Sequence, residues 1–480
     1  MRRGKGRQKC CGKINHSISS SKGEALQDGG KQVQARVIVL IALVIFGSCL
    51  GNLSQTALNA MFSGMAADFG VQMELGQWVT TLYMLVLGIT VPSVTYLMRR
   101  FPLKNVVLAA LLLLLLGAAI DAVAPSFEVL ICGRVLQAVS AGITMPMMIS
   151  IVMTSFPRDR QATVMGIAGI AMGFAPNIGP TIGGWMIEFA GWRSFFVLLF
   201  VCALVLLVLA ALLIARQPQA DSSAKLDVAS LLLSALGFGG LLLGFSNASS
   251  FGLASPFIWV PIFAGVLFLV LYLRRQKRIE HPLTNLRIFD SWRYRASFWA
   301  ANALFASFMG ITLIIPLFIE NQWGGTALQA GLALLPGTVA AFIVNPLAGW
   351  LVDRIGARPV VVVASVFLAA GAVSMAFIDE QTPFWAIVAL QGVRATGVSG
   401  LIGPLTSWGM ADLPHSIMTD GSSFGTAVRQ ACASMGTALM VFAIALGASA
   451  GVPLMGFHAA FAISGVFAAV VLVLALARVR

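Results

Sequence analysis

Charged residues are scarce in this chain. Of 480 residues only 10% are Asp, Glu, Lys or Arg, whereas 58% are hydrophobic. A soluble domain has roughly 25% charged residues, and no soluble fold has enough interior to hide so much apolar surface. The composition therefore excludes an ordinary water-soluble protein. It predicts an all-α integral membrane protein, in which each span takes ~20 apolar residues.

Reactive side chains are scarce as well. The four His and six Cys have neither metal-ligand spacing nor the arrangement of a disulfide framework. There is no Gly-x4-Gly-Lys-Ser/Thr phosphate loop, so the chain is not expected to power transport by ATP itself. We expect no metal and no cofactor. A polytopic membrane enzyme usually needs a carboxylate cluster and a channel needs a repeated filter segment; neither is present, so a transporter is favoured over both.

Fourteen apolar runs of span length follow a polar leading segment. Residues 1–35 are rich in Lys, Gly and Ser, which is typical of a disordered tail. Each gap between the runs contains Gly, Pro or charge, and these mark the span boundaries. The predicted spans are 36–62, 76–98, 104–124, 128–153, 162–188, 193–215, 227–247, 256–273, 297–320, 327–351, 359–378, 383–408, 423–448 and 456–478.

The basic residues orient these spans. All but four of the 31 Lys and Arg lie in the leading segment and in alternate gaps, which the positive-inside rule assigns to the cytoplasm. The pattern predicts a multi-pass protein of the cell membrane with both termini cytoplasmic. The net charge of +13 is dispersed in short clusters between apolar runs, and not on a basic face with aromatics, so nucleic acid is not an expected partner.

Of the four basic residues outside the leading segment and the alternate gaps, three are Arg residues within predicted spans. Arg134 lies in the middle of span four, where a charge is costly and usually functional. Arg394 occupies the corresponding span of the second half; a functional and a structural role are equally expected for it. Arg429 lies near the end of span thirteen and is expected to extend to the cytoplasmic headgroups.

The predicted membrane interior has no acidic residue. The acids nearest to it lie at span ends, namely Asp121, Glu188 and Glu320. These are the candidate proton-binding groups, since an Arg stays protonated in proteins.

Polar residues in the first two spans are candidates for the lining of a cavity. Asn52, Gln55, Thr56 and Asn59 share one helical stripe, and a polar stripe within a span must face protein or water. These residues either line a cavity or form hydrogen bonds with a neighbouring helix, and the sequence favours the cavity. Tyr83 offers an aromatic contact to a substrate.

A signature sequence with two glycines and three charged residues lies at the end of span ten and in the gap that follows. It reads Gly349-Trp-Leu-Val-Asp353-Arg354-Ile-Gly356-Ala-Arg358, and a degraded version follows span two. Gly349 allows close helix approach, and Gly356 supports a tight turn. Asp353 is expected either to cap the N-terminus of the following helix or to pair with a basic group.

Spans four and five contain two further motifs. Span four contains Arg134-Val-Leu-Gln137. Span five has prolines and glycines that suit close, kinked helix packing: Gly166, Pro176, Gly179, Pro180, Gly183 and Gly184.

These motifs, in this order, resemble the major facilitator superfamily and its fourteen-span multidrug/proton antiporters. Residues 52–59, 77–85 and 413–436 are most similar to the lincomycin-resistance type. The resemblance extends from about residue 36 to the end. It implies two six-helix bundles, a cytoplasmic gating role for the signature after span ten, and coupling roles for Arg134, Gln137 and Arg394.

The resemblance also implies a domain organisation and a function. The domains would be a tail (1–35), a first bundle (36–215), spans seven and eight with a basic loop (216–296), and a second bundle (297–480). The protein would work as a monomer that exports small amphiphilic organic molecules in exchange for protons by alternating access. Export of a specific metabolite without protons is the alternative.

The charge of the interior sets an expectation for the substrate. Many antiporters of this family have an embedded carboxylate in the first half, and uncharged polar residues stand there in this chain. An interior with Arg and no acid is expected to prefer neutral or anionic amphiphiles over permanent cations.

Overall fold

The computed structural model describes residues 38–58, 61, 64–71, 78–215, 227–247, 255–280 and 282–479. Fourteen helices long and apolar enough to cross a membrane lie in these ranges, which confirms the predicted number, and no strand occurs in them. The helices are α1 Ile38–Leu58, α2 Trp78–Arg100, α3 Leu103–Ala122, α4 Phe127–Ser155, α5 Gln161–Ala190, α6 Trp192–Leu213, α7 Val228–Asn247, α8 Pro256–Gln276, α9 Trp292–Asn321, α10 Ala327–Ile355, α11 Ala357–Met375, α12 Phe384–Met410, α13 Met418–Ser449 and α14 Pro453–Arg478.

The helices form two six-helix bundles and an inserted pair. Helix α3 packs on α4 and α6 in the first bundle, while α9 packs on α13 and α14 in the second. Helices α7 and α8 pack on each other, and α7 also contacts α2 and α13. The inserted pair therefore touches both bundles. The tail 1–35 lies outside the described residues.

Local sequence explains where several helices begin and end. The Ser126 hydroxyl accepts a hydrogen bond from the Val129 amide and caps α4. Pro92 lies in a 3₁₀ turn, Val91–Ser93, within α2. Gly356 has a φ of +88°, a left-handed conformation that glycine adopts readily, so α11 begins directly after α10 ends.

One helix end differs from the prediction in a way that matters for charge. Helix α13 begins at Met418 and not at 423, so that it includes Asp420, while α3 includes Asp121 as predicted. Both side chains are fully buried. Both acids lie at helix ends, so the expectation that no acid lies deep in a span is not contradicted, but the protein nevertheless buries two carboxyl groups. The cause is that each acid lies in a terminal helical turn, where its neighbour in another helix, and not its own sequence, removes it from water.

The two bundles meet along α5 and α10. At one end of this contact the Asp353 carboxylate accepts hydrogen bonds from the backbone amides of Ala162 and Thr163 at 3.2 and 2.7 Å. In the middle Asn345 donates to the Gly169 carbonyl at 3.3 Å, and at the far end Thr181 donates to the Gly331 carbonyl at 3.3 Å. Helix α5 thus contacts the opposite bundle along its whole length.

A second contact joins the bundles at the same end as Asp353. We call this the basic end, because Arg99, Arg158 and Arg354 lie there. Arg99, at the end of α2, forms an ion pair of 2.7 Å with Asp420 at the start of α13. Ser150 of α4 bonds to Thr419 at 2.7 Å. The basic end is therefore closed across both sides of the bundle interface.

Helix α5 also packs tightly on α1 within the first bundle. A side chain at Gly183 would clash with the Ala57 carbonyl and reach within 3.1 Å of Met61, whereas a Cβ at Gly184 would meet nothing within 4 Å. Helix α5 is continuous through Pro176 and Pro180. It is held between α1 on one side and α10 on the other.

We predict that Gly183→Val abolishes transport and leaves membrane insertion intact. Forcing a branched side chain against the α1 backbone costs about 1–3 kcal/mol and separates α1 from α5. Gly184→Val is the matched control, because its side chain enters open space. Substrate efflux and the amount of folded protein in the membrane are the measurements. Equal activity of the two variants would contradict the prediction.

Candidate functional site

Arg134 lies at the centre of a buried polar cluster between α1 and α4. The side chain is 0% exposed. Its Nη1 donates to the Ser54 hydroxyl at 2.6 Å and to Gln137 Oε1 at 2.7 Å, and its Nη2 donates to the Ser54 carbonyl at 3.1 Å. These are charge-assisted bonds, which are about twice as strong as neutral ones. They attach the guanidinium of α4 to α1.

Gln137 connects this arginine to Asp121 of α3. Its Nε2 donates to Asp121 Oδ2 at 2.7 Å, while its Oε1 accepts from Arg134 and from the Ser54 hydroxyl. Arg134 and Asp121 form no direct ion pair, since the amide stands between them. The sequence motif had brought Arg134 and Gln137 together; it contained no sign that Asp121 belongs with them.

Tyr83 closes the cluster on the side of α2. The guanidinium carbon of Arg134 lies 4.2 Å from the centroid of the Tyr83 ring, a cation–π distance. The Tyr83 hydroxyl donates to the Gly51 carbonyl at 2.8 Å, and the side chain is 0% exposed. In this conformation Tyr83 positions Arg134 and α1.

The residues of the polar stripe of α1 differ in their surroundings. Thr56 faces α5, where its hydroxyl bonds to the Ala175 carbonyl at 3.3 Å. Asn52 donates to the Ser48 carbonyl of its own helix at 2.9 Å. Gln55 is 4% exposed. Asn59 lies outside the described residues. Contact of these residues with substrate stays a prediction.

Arg394 is buried without an acid. It is 0% exposed, its Nε donates to Gln391 at 2.9 Å, and both terminal nitrogens have no hydrogen-bond partner among the described residues. Helix α12 packs on α11 at Gly371, much as α4 packs on α3 at Gly117. The residue one turn after Gly117 is Asp121, whereas the residue one turn after Gly371 is Met375. The second half thus has the arginine but not the carboxylate.

The sequence predicts that Arg429 extends to the cytoplasmic headgroups, but the structure shows its side chain buried between helices. It is 8% exposed, donates to Thr426 at 2.7 Å, and lies 5.6 Å from the Phe305 ring. It borders a cavity of about 20 Å³, which has room for about one water. The cavity lies where the bundles meet, between Ile149 of α4 and residues of α9, α12 and α13.

Asn302 borders the same cavity and is unusual among its neighbours. It is 3% exposed, and neither its amide nitrogen nor its amide oxygen has a partner among the described residues. The Nε of Arg429 also has no partner there. Buried polar groups are normally hydrogen-bonded, so this pair offers donors and one acceptor to a polar group that enters the cavity.

The signature after α10 acts between the bundles. Asp353 was expected to cap the following helix or to pair with a basic group. The structure shows instead that it caps α5, since it also accepts from the Thr163 hydroxyl at 2.6 Å. A carboxylate at a helix N-terminus is favoured by the helix dipole. Arg354 stacks on Trp350 of its own helix at 4.2 Å, and Arg358 is exposed.

Two glycines of the predicted motifs allow this contact. A side chain at Gly349 would clash with the Ala162 carbonyl, and one at Gly166 would clash with the Asn345 carbonyl. Gly179 packs against Thr56 of α1. In the ranges that the structure describes, no three His, Cys, Asp or Glu side chains are grouped as a metal site.

Comparisons with known proteins agree with this architecture. The family model described as Major Facilitator Superfamily matches residues 44–437 and 297–480. The uncharacterized MFS-type transporter YcnB of Bacillus subtilis is 32% identical over 439 residues, which cover 90% of this chain and 93% of that protein. The lincomycin resistance protein LmrB of Listeria monocytogenes is 31% identical over 425 residues, covering 88% of this chain and 89% of that protein.

Solved structures share the fold. The proton:xylose symporter XylE, bound to 6-bromo-6-deoxy-D-glucose, superposes with a TM-score of 0.63 at 13% identity and covers 93% of this chain and 96% of that one. At this identity the likeness concerns the helical architecture alone.

We predict that Arg134→Ala abolishes transport without loss of membrane insertion. The substitution removes three hydrogen bonds to α1 and α4 and leaves the Asp121 carboxylate without its nearest cation. Arg134→Lys keeps the charge but not the forked geometry and is expected to be impaired as well. Efflux at equal protein level is the measurement, and Arg478→Ala, at an exposed helix end, is the control. Normal efflux by Arg134→Ala would remove the functional assignment.

Proposed function

The chain belongs to the major facilitator superfamily, and from this membership we propose that it exports small amphiphilic organic molecules, antibiotics among them, in exchange for protons. It is a membrane transporter and not an enzyme. The proposed location is the cell membrane, with both termini in the cytoplasm and the basic end facing it. A single chain contains both bundles and the cavity between them, so we expect a functional monomer.

The observation that carries the proposal of export is the relationship to LmrB. That protein is named for lincomycin resistance, and this chain matches it over 88% of its own length. A transporter confers resistance most directly by removing the drug from the cell.

Alternating access follows from the contacts at the basic end. In the described conformation Asp353 caps α5, and Arg99 pairs with Asp420. To open the cavity toward the cytoplasm the bundles must break both contacts, while they rock around α5 and α10. Export needs this step once in each cycle, because the substrate enters from that end.

The cavity beside Arg429 supports a preference for neutral or anionic groups. The buried arginines are Arg134, Arg394 and Arg429, whereas of the two buried acids Asp420 is already paired with Arg99. No acidic side chain borders the cavity. A permanent cation would meet the positive field of Arg429 without a counter-charge, and its desolvation would remain uncompensated.

Transport by the purified protein in liposomes, with and without a pH gradient, tests the proposal. We expect labelled lincomycin to accumulate in the direction opposite to the proton gradient, and accumulation to stop when an ionophore collapses the gradient. Transport that ignores the gradient would favour the alternative, an exporter of one metabolite without protons. Chemical conversion of the compound would overturn the assignment as a transporter.

A dye panel tests the substrate preference. We expect efflux of neutral and anionic fluorescent amphiphiles and little or no efflux of ethidium. Arg429→Gln is expected to weaken transport of the anionic dye about tenfold more than that of the neutral dye, because one buried charge-assisted contact contributes about 1.5–3 kcal/mol. Arg293→Gln, whose ion pair with Asp412 lies at the basic end, is the control. Efficient ethidium efflux would contradict the preference.

A further inference from the structure

Asp121 is a buried carboxyl with an incomplete set of hydrogen-bond partners. It lies in the last turn of α3 and is 0% exposed. One oxygen accepts from Gln137 at 2.7 Å, and the other, Oδ1, has no partner among the described residues. The carboxyl rests directly on the α4 backbone, because a side chain at Gly133 would occupy the position of Oδ1. An ionised carboxylate held in this way keeps one bare oxygen away from water.

The surroundings of Asp121 contain one cation within electrostatic reach. That cation is Arg134 of α4, which Tyr83 of α2 covers from the other side. From the start of α6, Arg193 donates to the Ala124 carbonyl and to Asp68. Glu128 lies in the first turn of α4, and α1 contributes the neutral Ser54. Among the described residues, Arg134 is therefore the cation that acts on the charge state of Asp121.

The hydrogen bonds give this charge a mechanical consequence. Arg134 has two possible attachments, Ser54 of α1 and the carboxyl of α3, and Gln137 lies between them. When Asp121 is neutral, we expect Arg134 to remain bound by Ser54 and the Gln137 oxygen. When Asp121 is ionised, the attraction of opposite charges draws Arg134 toward α3 and weakens its bonds to Ser54. Helix α1 carries Ala57, against which α5 packs, so the proton changes how α1 and α5 are held.

We propose that Asp121 is the group that binds and releases the coupled proton, and that Gln137 and Arg134 transmit its state to α1. The proposal rests on the proposed proton antiport. Asp121 takes one proton from water at the end opposite the basic end, which is near because α3 ends one residue later at Ala122. It releases that proton into the cavity that opens toward the basic end when the bundles rearrange. Met375 at the related position of α11 explains why the second half has no such group.

Transport by Asp121→Asn in liposomes is the first test. Asn has the same shape and still accepts a hydrogen bond from Gln137, but it binds no proton. We expect uptake of labelled lincomycin driven by a pH gradient to fall to the level of empty liposomes, while exchange of labelled for unlabelled lincomycin without a gradient continues. Asp121→Glu should recover part of the driven uptake. Glu128→Gln, which removes an acid at the same end of the neighbouring helix, should behave as the wild type.

The outcomes separate this proposal from the proposed function. If the wild type transports lincomycin without regard to the gradient, proton antiport itself fails. If the wild type responds to the gradient and Asp121→Asn responds equally, antiport stands and the assignment of Asp121 falls. Loss of exchange together with driven uptake in Asp121→Asn would also overturn it, since that result indicates damage to the cavity and not to coupling.

Infrared spectroscopy tests the assignment without a substrate. Difference spectra between acidic and alkaline buffer contain the C=O stretch of each carboxyl that titrates. We expect a band of a buried carboxyl that the wild type and Glu128→Gln share and that Asp121→Asn lacks. Identical spectra for all three proteins would overturn the proposal, whatever compound the transporter carries.

Discussion

A charge that cannot reach water must be met by an opposite charge or by hydrogen bonds, and this constraint organises the interior of the chain. Arg134 meets it with Ser54, Gln137 and the ring of Tyr83. Asp420 meets it with Arg99 of the opposite bundle. Arg394 meets it only in part, since two of its nitrogens have no partner within the described residues. The contacts of Arg134 and Asp420 hold helices together, although Arg134 Nε and Asp420 Oδ1 also have no partner within the described residues.

The same constraint makes the contacts at the basic end suitable for repeated opening. Asp353 binds the N-terminus of α5 rather than a buried cation, so both partners recover water as hydrogen-bond partners when the bundles separate. Arg99 is 39% exposed while Asp420 is 0% exposed, so the pair is partly open to solvent already. The attraction within such a pair is largely offset by the cost of removing its charges from water, so its net contribution to stability is small.

The sequence predicts the membrane class, the number of spans and the close packing of span five, because apolar length and glycine spacing are local properties. It does not predict the partners of the charges. Asp121 lies near Gln137 and Asp353 lies near Thr163 through packing between helices that are distant in the chain, and no local pattern encodes either contact. The burial of Asp121 and Asp420 is not predicted for a related reason. Each lies in a terminal helical turn, while a neighbouring helix buries it. Arg429 was misread because its distance from the helix end gives its depth but not its direction.

The amide of Gln137 between Arg134 and Asp121 has a physical advantage over a direct ion pair. A direct ion pair of two buried charges would be stable in one state and would resist separation. Gln137 accepts from the arginine through its oxygen and donates to the carboxyl through its nitrogen, and it does so without titrating itself. It keeps the two charges apart while it is hydrogen-bonded to both. In the proposed mechanism, the loss of one proton from Asp121 therefore changes the hydrogen bonds between Arg134 and Ser54. In the second half, Arg394 bonds to Gln391, which lies one turn before it, and Met375 stands in place of the acid. That site therefore has no carboxyl group to bind a proton. The asymmetry between the halves thus restricts the proposed coupling to the first bundle, where α1, α4 and α5 meet.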